Sequence, residues 1–171
     1  ELQPALEALV AADISAPRLQ RVLENSSRLG ITLSTAVADA SALPDALLAS
    51  PFDAILADVP SSATRVMRRN PDIKILRQPD DIDGFARQQL AILQGLWPAL
   101  KVNGRLLYVT CSLLQAENDD VIARFAASGS GVVVEPLQLP DGLARRYGWQ
   151  TLPHPEGGDG LYFSMLRRAA E

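Results

Sequence analysis

Residues 52–66 read FDAILADVPSSATRV, and residues 104–112 read GRLLYVTCS. Each is an apolar run that stops abruptly at a small polar cluster. The first stops at Asp58-Val59-Pro60-Ser61-Ser62, the second at Thr110-Cys111-Ser112. Runs of this kind are how strands covered on both faces of a parallel sheet look in sequence. Working outward, EALVAAD (7–13) and ITLSTAVAD (31–39) precede the pair, and GVVVEPL (131–137) and GLYFSMLRR (160–168) follow it. Helical periodicity separates them. After Ser15, a suitable N-cap, Leu19, Val22, Leu23 and Leu29 share one helical face, and Gly30 is a natural stop. A polar segment from Thr64 to about Asp81 comes next. Ile82, Phe85, Ala86, Leu90, Leu93, Leu96, Trp97 and Leu100 then follow the helical period, with Pro98 kinking or shortening that helix near its end. Residues 115–128 predict a further helix. Six strands interleaved with helices predict an α/β fold, a mostly parallel sheet with helices on both faces.

The bulk numbers set limits. A chain of 171 residues with 47% apolar composition is one domain with ample core. A net charge of −4 excludes a domain-wide basic field, though not a local basic patch. One cysteine forms no internal disulfide, and no Cys/His cluster has metal-ligand spacing, so no metal is expected. A reducing, cytoplasmic setting follows from that usage. No apolar run reaches membrane-span length, and no basic-then-apolar signal opens the chain. It starts at Glu1, close to an apolar run and without methionine, and the expectation is a piece of something longer.

Open α/β sheets bind ligands beyond the carboxyl ends of their strands. Asp13, Asp39, Asp58 and Cys111 all occupy such ends. Singly, each has an ordinary reading: an Asp after a strand forms turns and caps helices, and a lone Cys is a small buried hydrophobe. Jointly they line one edge, and carboxylates at successive strand ends suit the hydroxyl and amino groups of a nucleoside. Arg65, Arg68, Arg69, Lys74 and Arg77 form a local basic stretch able to meet phosphates, or else a solvated loop with scattered charges. His154 reads as a surface residue, Trp97 as core, and the Gly-Gly-Asp-Gly run at 157–160 as a loop shaper before the last strand.

Three segments then carry a resemblance: FDAILADVPSSATRVMRRNPDIKILR, WPALKVNGRLLYVTCSLLQAEN and EGGDGLYFSMLRR. Together they are similar to the Sun/RsmB (Fmu)-type ribosomal RNA cytosine-C5 methyltransferases. The family forms are Asp-Ala-Pro-Cys-Ser-Ala-Thr-Gly, Arg-Arg-His-Pro-Asp-Ile-Lys, Thr-Cys-Ser followed by a Glu-Asn pair, and a Gly-Asp-Gly-Phe-Phe-like end. The match runs from about Leu9 to Arg168, and its motifs are specific in combination. The resemblance implies a Rossmann-like, class I S-adenosylmethionine-dependent methyltransferase sheet with an antiparallel strand near the C-terminus. It implies methylation of cytosine C5 in ribosomal RNA, with Cys111 as the nucleophile that adds to C6. By the same similarity Asp58 holds the cytosine edge near N3 and N4 and touches the cofactor's methionine part. Asp13 binds the ribose hydroxyls and Asp39 the adenine amino group of S-adenosylmethionine. The target base must be unstacked to reach this edge.

The chain departs from the pattern in two places. Ser61 stands where the family has a second cysteine that helps release product. A hydroxyl is a far weaker acid and nucleophile than a thiol, so Ser61 is left to hydrogen-bond or to position a water as the base for C5 deprotonation. Arg65 and Asn70 also replace the family's Gly and His. The glycine-rich Ala-Pro-Gly-Gly-Lys cofactor loop and the first strand before it are absent, as is the family's N-terminal RNA-binding domain. That strand would lie between those ending at Asp13 and Asp58. Residues 1–171 are therefore expected to form a partial methyltransferase domain, a fragment that alone binds S-adenosylmethionine weakly or not at all. The alternative is a non-catalytic RNA-binding or assembly module on a degenerate methyltransferase fold. A third reading, an Asp-Pro-Pro-Tyr-like amino-group methyltransferase, needs an aromatic ring where Ser61 and Ser62 stand.

Overall fold

In this computed structural model the described residues are 6–64, 78–128, 131–154, 158 and 160–170. Eight strands occur among them: β1 (Val10–Asp13), β2 (Ser34–Val37), β3 (Phe52–Asp58), β4 (Leu100–Thr110), β5 (Val132–Glu135), β6 (Leu143–Ala144), β7 (Trp149–Gln150) and β8 (Tyr162–Arg168). The helices are α1 (Ala16–Leu29), α2 (Asp45–Leu48), α3 (Pro79–Leu96) and α4 (Asp119–Ala126), with 3-10 turns at Trp97–Ala99 and Gln115–Glu117. The helix expected over 115–128 is thus a 3-10 turn followed by α4. Both strands before residue 40 are shorter than their apolar runs. Strand β4 begins four residues earlier than GRLLYVT. Its extra length is absorbed by a bulge: Phe52 pairs with Leu100, yet Ala54 pairs with Arg105. Asn103 takes a left-handed φ of 65° there, a conformation Asn adopts more readily than most residues.

The strands fall into two sheets. β1 and β2 pair in parallel. The larger sheet runs β3-β4-β8-β7-β6, with β5 also on β8. β3 and β4 are parallel, and β8 lies antiparallel to β4 and β5. Among the described residues no ladder joins the two sheets, so β1 and β3 each keep one edge without a strand partner.

One core fills one face of the larger sheet. Ala57, Leu106, Tyr108, Tyr162 and Leu166 from the strands meet Ala86, Ile92 and Leu93 of α3 and Val121, Ile122 and Phe125 of α4. Strand alternation turns Leu56 the other way, where it stays 69% exposed. Trp97 is core, as its place on the helical stripe predicts, and packs edge-on against Phe125 at 5.1 Å between centroids. Pro98 falls in the 3-10 turn that closes α3. The end of that turn would leave bare carbonyls, and Arg168 answers them by donating to the oxygens of Trp97 (3.2 Å) and Leu100 (2.6 Å). The loop after β2 seats directly on α3 at Gly95, where a Cβ would stand 2.5 Å from the Ser41 carbonyl carbon. That close approach is what docks the small sheet on the larger body.

Candidate active site at the strand ends

Asp58 ends β3 in register with Val109 of the neighbouring β4, and Cys111, two residues after Val109, directly follows the end of β4. Parallel neighbours lie about 4.8 Å apart, so strand pairing alone brings the Asp58–Ser61 segment beside Thr110–Ser112. Val59 extends the ladder, its N–H donating to the Val109 carbonyl at 3.1 Å. Asp58 is exposed, Ser61 and Cys111 are half-buried, and the side chains beneath them are fully buried. Cys111 is in no disulfide.

Beneath the two loops lies a polar network that the sequence reading did not assign. Glu117 accepts from the Ser62 N–H (2.7 Å) and hydroxyl (2.5 Å), from the Ser112 hydroxyl (2.6 Å) and from the Gln89 amide (3.2 Å). Gln89, from α3, also donates to the Pro60 carbonyl at 2.9 Å. The Leu113 N–H donates to Thr64 Oγ1 at 3.0 Å. Asn118 ties the Cys111 turn back to the strand: it accepts from Thr110 Oγ1 at 2.6 Å and donates to the Ser112 carbonyl at 3.0 Å. Tyr108 donates its hydroxyl to the Glu117 carbonyl at 2.7 Å. Burial, with the Glu117 charge nearby, holds that phenol well above its ordinary pKa, so it remains a donor. The only signal in sequence was the Glu-Asn pair after Thr-Cys-Ser, which says nothing of what the pair touches.

Asp13 and Asp39 sit on the small sheet, and both serve local turns. Asp13 Oδ1 accepts from the Ser15 N–H (2.7 Å) and pairs with Arg18 (3.3 Å). Asp39 Oδ1 accepts from the Ser41 hydroxyl (2.7 Å) and N–H (2.8 Å). Those bonds, the hydroxyl's first, hold the Asp39 carboxyl below its usual range. In both residues these contacts go to Oδ1, and Oδ2 lies outside them. Arg65, Arg68, Arg69, Lys74 and Arg77 lie outside the described residues. Beyond the Cys111 turn a polar cavity of about 260 Å³ is bounded by Leu113, Gln115, Asp119, Arg145 and Tyr162. Its carboxylate is already occupied, Asp119 accepting from the Arg146 and Tyr147 N–H groups and the Tyr162 hydroxyl. His154 is exposed, and Gly160 is buried against the Thr151 carbonyl; Gly157 and Asp159 of the same run lie outside the described residues. Among the described residues no cluster of His, Cys, Asp or Glu could hold a metal ion, and no helix is long and apolar enough to cross a membrane.

Comparison with known proteins gives a consistent result. The family model for 16S rRNA methyltransferase RsmB/F matches residues 1–167. The probable ribosomal RNA small subunit methyltransferase B of Coxiella burnetii is 44% identical over 169 residues, which cover 97% of this chain and 39% of that protein. The ribosomal RNA small subunit methyltransferase B of Pseudomonas syringae pv. tomato is also 44% identical, over 99% of this chain and 39% of its own length. Among solved structures, NSun6 from Pyrococcus horikoshii with SFG superposes with a TM-score of 0.81 and 26% identity, covering 96% of this chain and 42% of that one. The chain therefore spans about two-fifths of the length of these relatives. Its sheet order, with an antiparallel β8 beside β4, is that of the class I S-adenosylmethionine-dependent methyltransferases, with no counterpart of their first strand among the described residues. Matched along nearly all its length, the chain belongs to the RsmB/F family of 16S rRNA methyltransferases.

Proposed function

We propose that residues 1–171 form part of the methyltransferase domain of an enzyme that methylates cytosine C5 in ribosomal RNA, working in the cytoplasm. The observation that carries this reading is the side-by-side placement of the Asp58–Ser61 and Thr110–Cys111 segments on one sheet edge, with a half-buried cysteine outside any disulfide on one and an exposed carboxyl on the other.

Cytosine C5 is a poor nucleophile while the ring is aromatic. The Cys111 thiolate adds to C6, forming an S–C6 bond; the C5=C6 electrons become C4=C5 and the C4=N3 electrons move to N3, which takes up a proton, so that C5 becomes enamine-like. Asp58 holds the N3 and N4 edge where that proton is taken up, and N3 gives it back as C4=N3 re-forms when C5 takes the methyl. S-adenosylmethionine, when bound, supplies the electrophilic methyl that C5 takes. A water held by Ser61 then removes the C5 proton, the electrons of that C–H bond re-form C5=C6, and the Cys111 thiolate leaves. Ser61 replaces the family's second cysteine, so the first half of the reaction is better provided than the second.

The described residues fit the nucleoside part of the cofactor. Asp13 Oδ2 and Asp39 Oδ2, outside the turn contacts of each residue, are acceptors for the ribose hydroxyls and the adenine amino group. The open edges of β1 and β3 mark where backbone around the methionine part would belong. Arg65, Arg68, Arg69, Lys74 and Arg77 are proposed to meet RNA phosphates.

A second reading, a non-catalytic RNA-binding module, draws on Ser61 and on those open edges. Nuclease digestion of rRNA incubated with S-adenosylmethionine and the whole polypeptide carrying residues 1–171 separates the two. We expect 5-methylcytosine, abolished by Cys111→Ala. Product unchanged in that variant would reject the mechanism, and no product from the native protein would favour the module.

A further inference from the structure

Glu117 joins the two loops, and its burial needs a reason. It is fully buried, and its described partners are neutral donors that occupy both carboxylate oxygens. Four donors match the four acceptor sites a carboxylate offers. Desolvating such a group costs several kcal/mol, and hydrogen bonds repay that at best in part. An apolar side chain in this core would avoid the cost. The return lies in geometry: Oε1 grips Ser62, Oε2 grips Ser62 and Ser112, and these residues flank Ser61 and Cys111. Glu117 itself is fixed, since Tyr108 holds its carbonyl and Asn118 holds the Ser112 carbonyl.

The held loop is also strained. Ala63, between the anchored Ser62 and Thr64, has a φ of 58°, the left-handed region where Cβ crowds the backbone of a non-glycine residue. Such conformations persist only where the surroundings over-determine them. Gln89 supplies the third anchor. Its amide orientation is dictated by two acceptors, Pro60 O and Glu117 Oε1, and its own Oε1 has no hydrogen-bond partner among the described residues.

We infer that Glu117 is a positioning residue that, through Ser62 and Ser112, sets the separation of the Asp58–Ser61 loop from Cys111. The inference rests on the roles proposed above for Asp58 and Cys111. It concerns orientation alone, because Glu117 is buried below the loops and touches no reacting atom.

The test uses the whole polypeptide carrying residues 1–171, an rRNA substrate and S-adenosylmethionine. Glu117→Ala should lower kcat about 10²-fold, the scale of a misplacement near 1 Å, with both KM values within about threefold of native. Glu117→Gln keeps an acceptor for the Ser62 N–H and offers its amide to hydroxyls that can turn to accept, so it should restore kcat to within about tenfold. Ser62→Ala and Ser112→Ala remove single donors and should each lower kcat, with little further loss when combined with Glu117→Ala. Should Glu117→Ala fail to fold, the two serine variants decide. A folded Glu117→Ala with native kcat overturns the inference. So does a loss confined to melting temperature and to KM while both serine variants keep native kcat. Native activity in Glu117→Ala together with an inactive Cys111→Ala would remove this inference alone. Methylation that survives Cys111→Ala would instead remove the mechanism beneath it.

Discussion

In the proposed mechanism Ser61 stands where a proton acceptor is called for late in the reaction, after the methyl has reached C5. A serine hydroxyl stays protonated and must work through water. Introducing a thiol should therefore act on the second half of the cycle only. Ser61→Cys is expected to raise steady-state turnover, by up to about 10²-fold where proton transfer limits it, the low end of general-base contributions. The rate of the first turnover should not change. Burst kinetics on rRNA resolve the two phases, and a Ser61→Cys protein with native steady-state rate would show that release is not limited here. At this scale the sequence was informative but incomplete. Asp58 and Cys111 were legible because both the strand ends and the motifs pointed to them. Asp13 and Asp39 were legible as strand-end acids, and the turn role that the same position suggests is seen in the Oδ1 bonds to Ser15, Arg18 and Ser41. Glu117, Ser62 and Gln89 were not legible. Their contacts span 28 and 55 positions in sequence, and no local periodicity encodes a buried hydrogen bond of that range.

At the scale of elements, the apolar runs located every long strand and helix, while the ends depended on contacts the runs do not contain. ITLSTAVAD predicts a strand over 31–39, but only Ser34–Val37 finds a ladder partner in β1. Leu100–Asn103 continued β4 because a left-handed Asn103 and a tightly packed Gly104 let the bulge form beside Asp53. The short β6 and β7 carry two residues each, too few for any pattern. Gly95 of α3 offers a sharp test of element packing. Alanine there would improve helix propensity by about 1 kcal/mol. Its Cβ would sit 2.5 Å from the Ser41 carbonyl carbon and closer still to the Ala40 oxygen, backbone atoms that cannot rotate away. Overpacking against fixed backbone this close costs about 2–3 kcal/mol, the upper part of the usual range, so the clash outweighs the propensity gain. Thermal unfolding of Gly95→Ala should show a midpoint lower by about 2–8 °C. A raised midpoint would mean the loop after β2 does not rest on α3.

For the whole molecule, the central feature is the pair of sheets, each with an open edge, with Asp13 and Asp39 at the strand ends of one and Asp58 at a strand end of the other. The α/β class, the antiparallel C-terminal strand and the interruption of the sheet were all readable before any coordinates, because the family motifs fix which strands are present. In the proposed cofactor site Asp13 and Asp39 supply the nucleoside acceptors, and among the described residues no strand pairs with the open edges of β1 and β3 to wall the methionine part. Titration calorimetry of the 171-residue chain with S-adenosylmethionine is therefore expected to show binding weaker than about 1 mM. Micromolar affinity would mean that residues 1–171 complete the cofactor site by themselves.

The proposal that Cys111 attacks cytosine C6 is tested most directly by trapping. A fluorine at C5 cannot depart as the proton does, so an rRNA bearing 5-fluorocytosine should hold the thioether once the methyl is in place. Incubated with S-adenosylmethionine and the whole polypeptide, it should give a denaturant-stable protein–RNA adduct, mapped by mass spectrometry to the peptide containing Cys111 and lost in Cys111→Ala. No adduct with the native protein, or one that persists in Cys111→Ala, would contradict the mechanism.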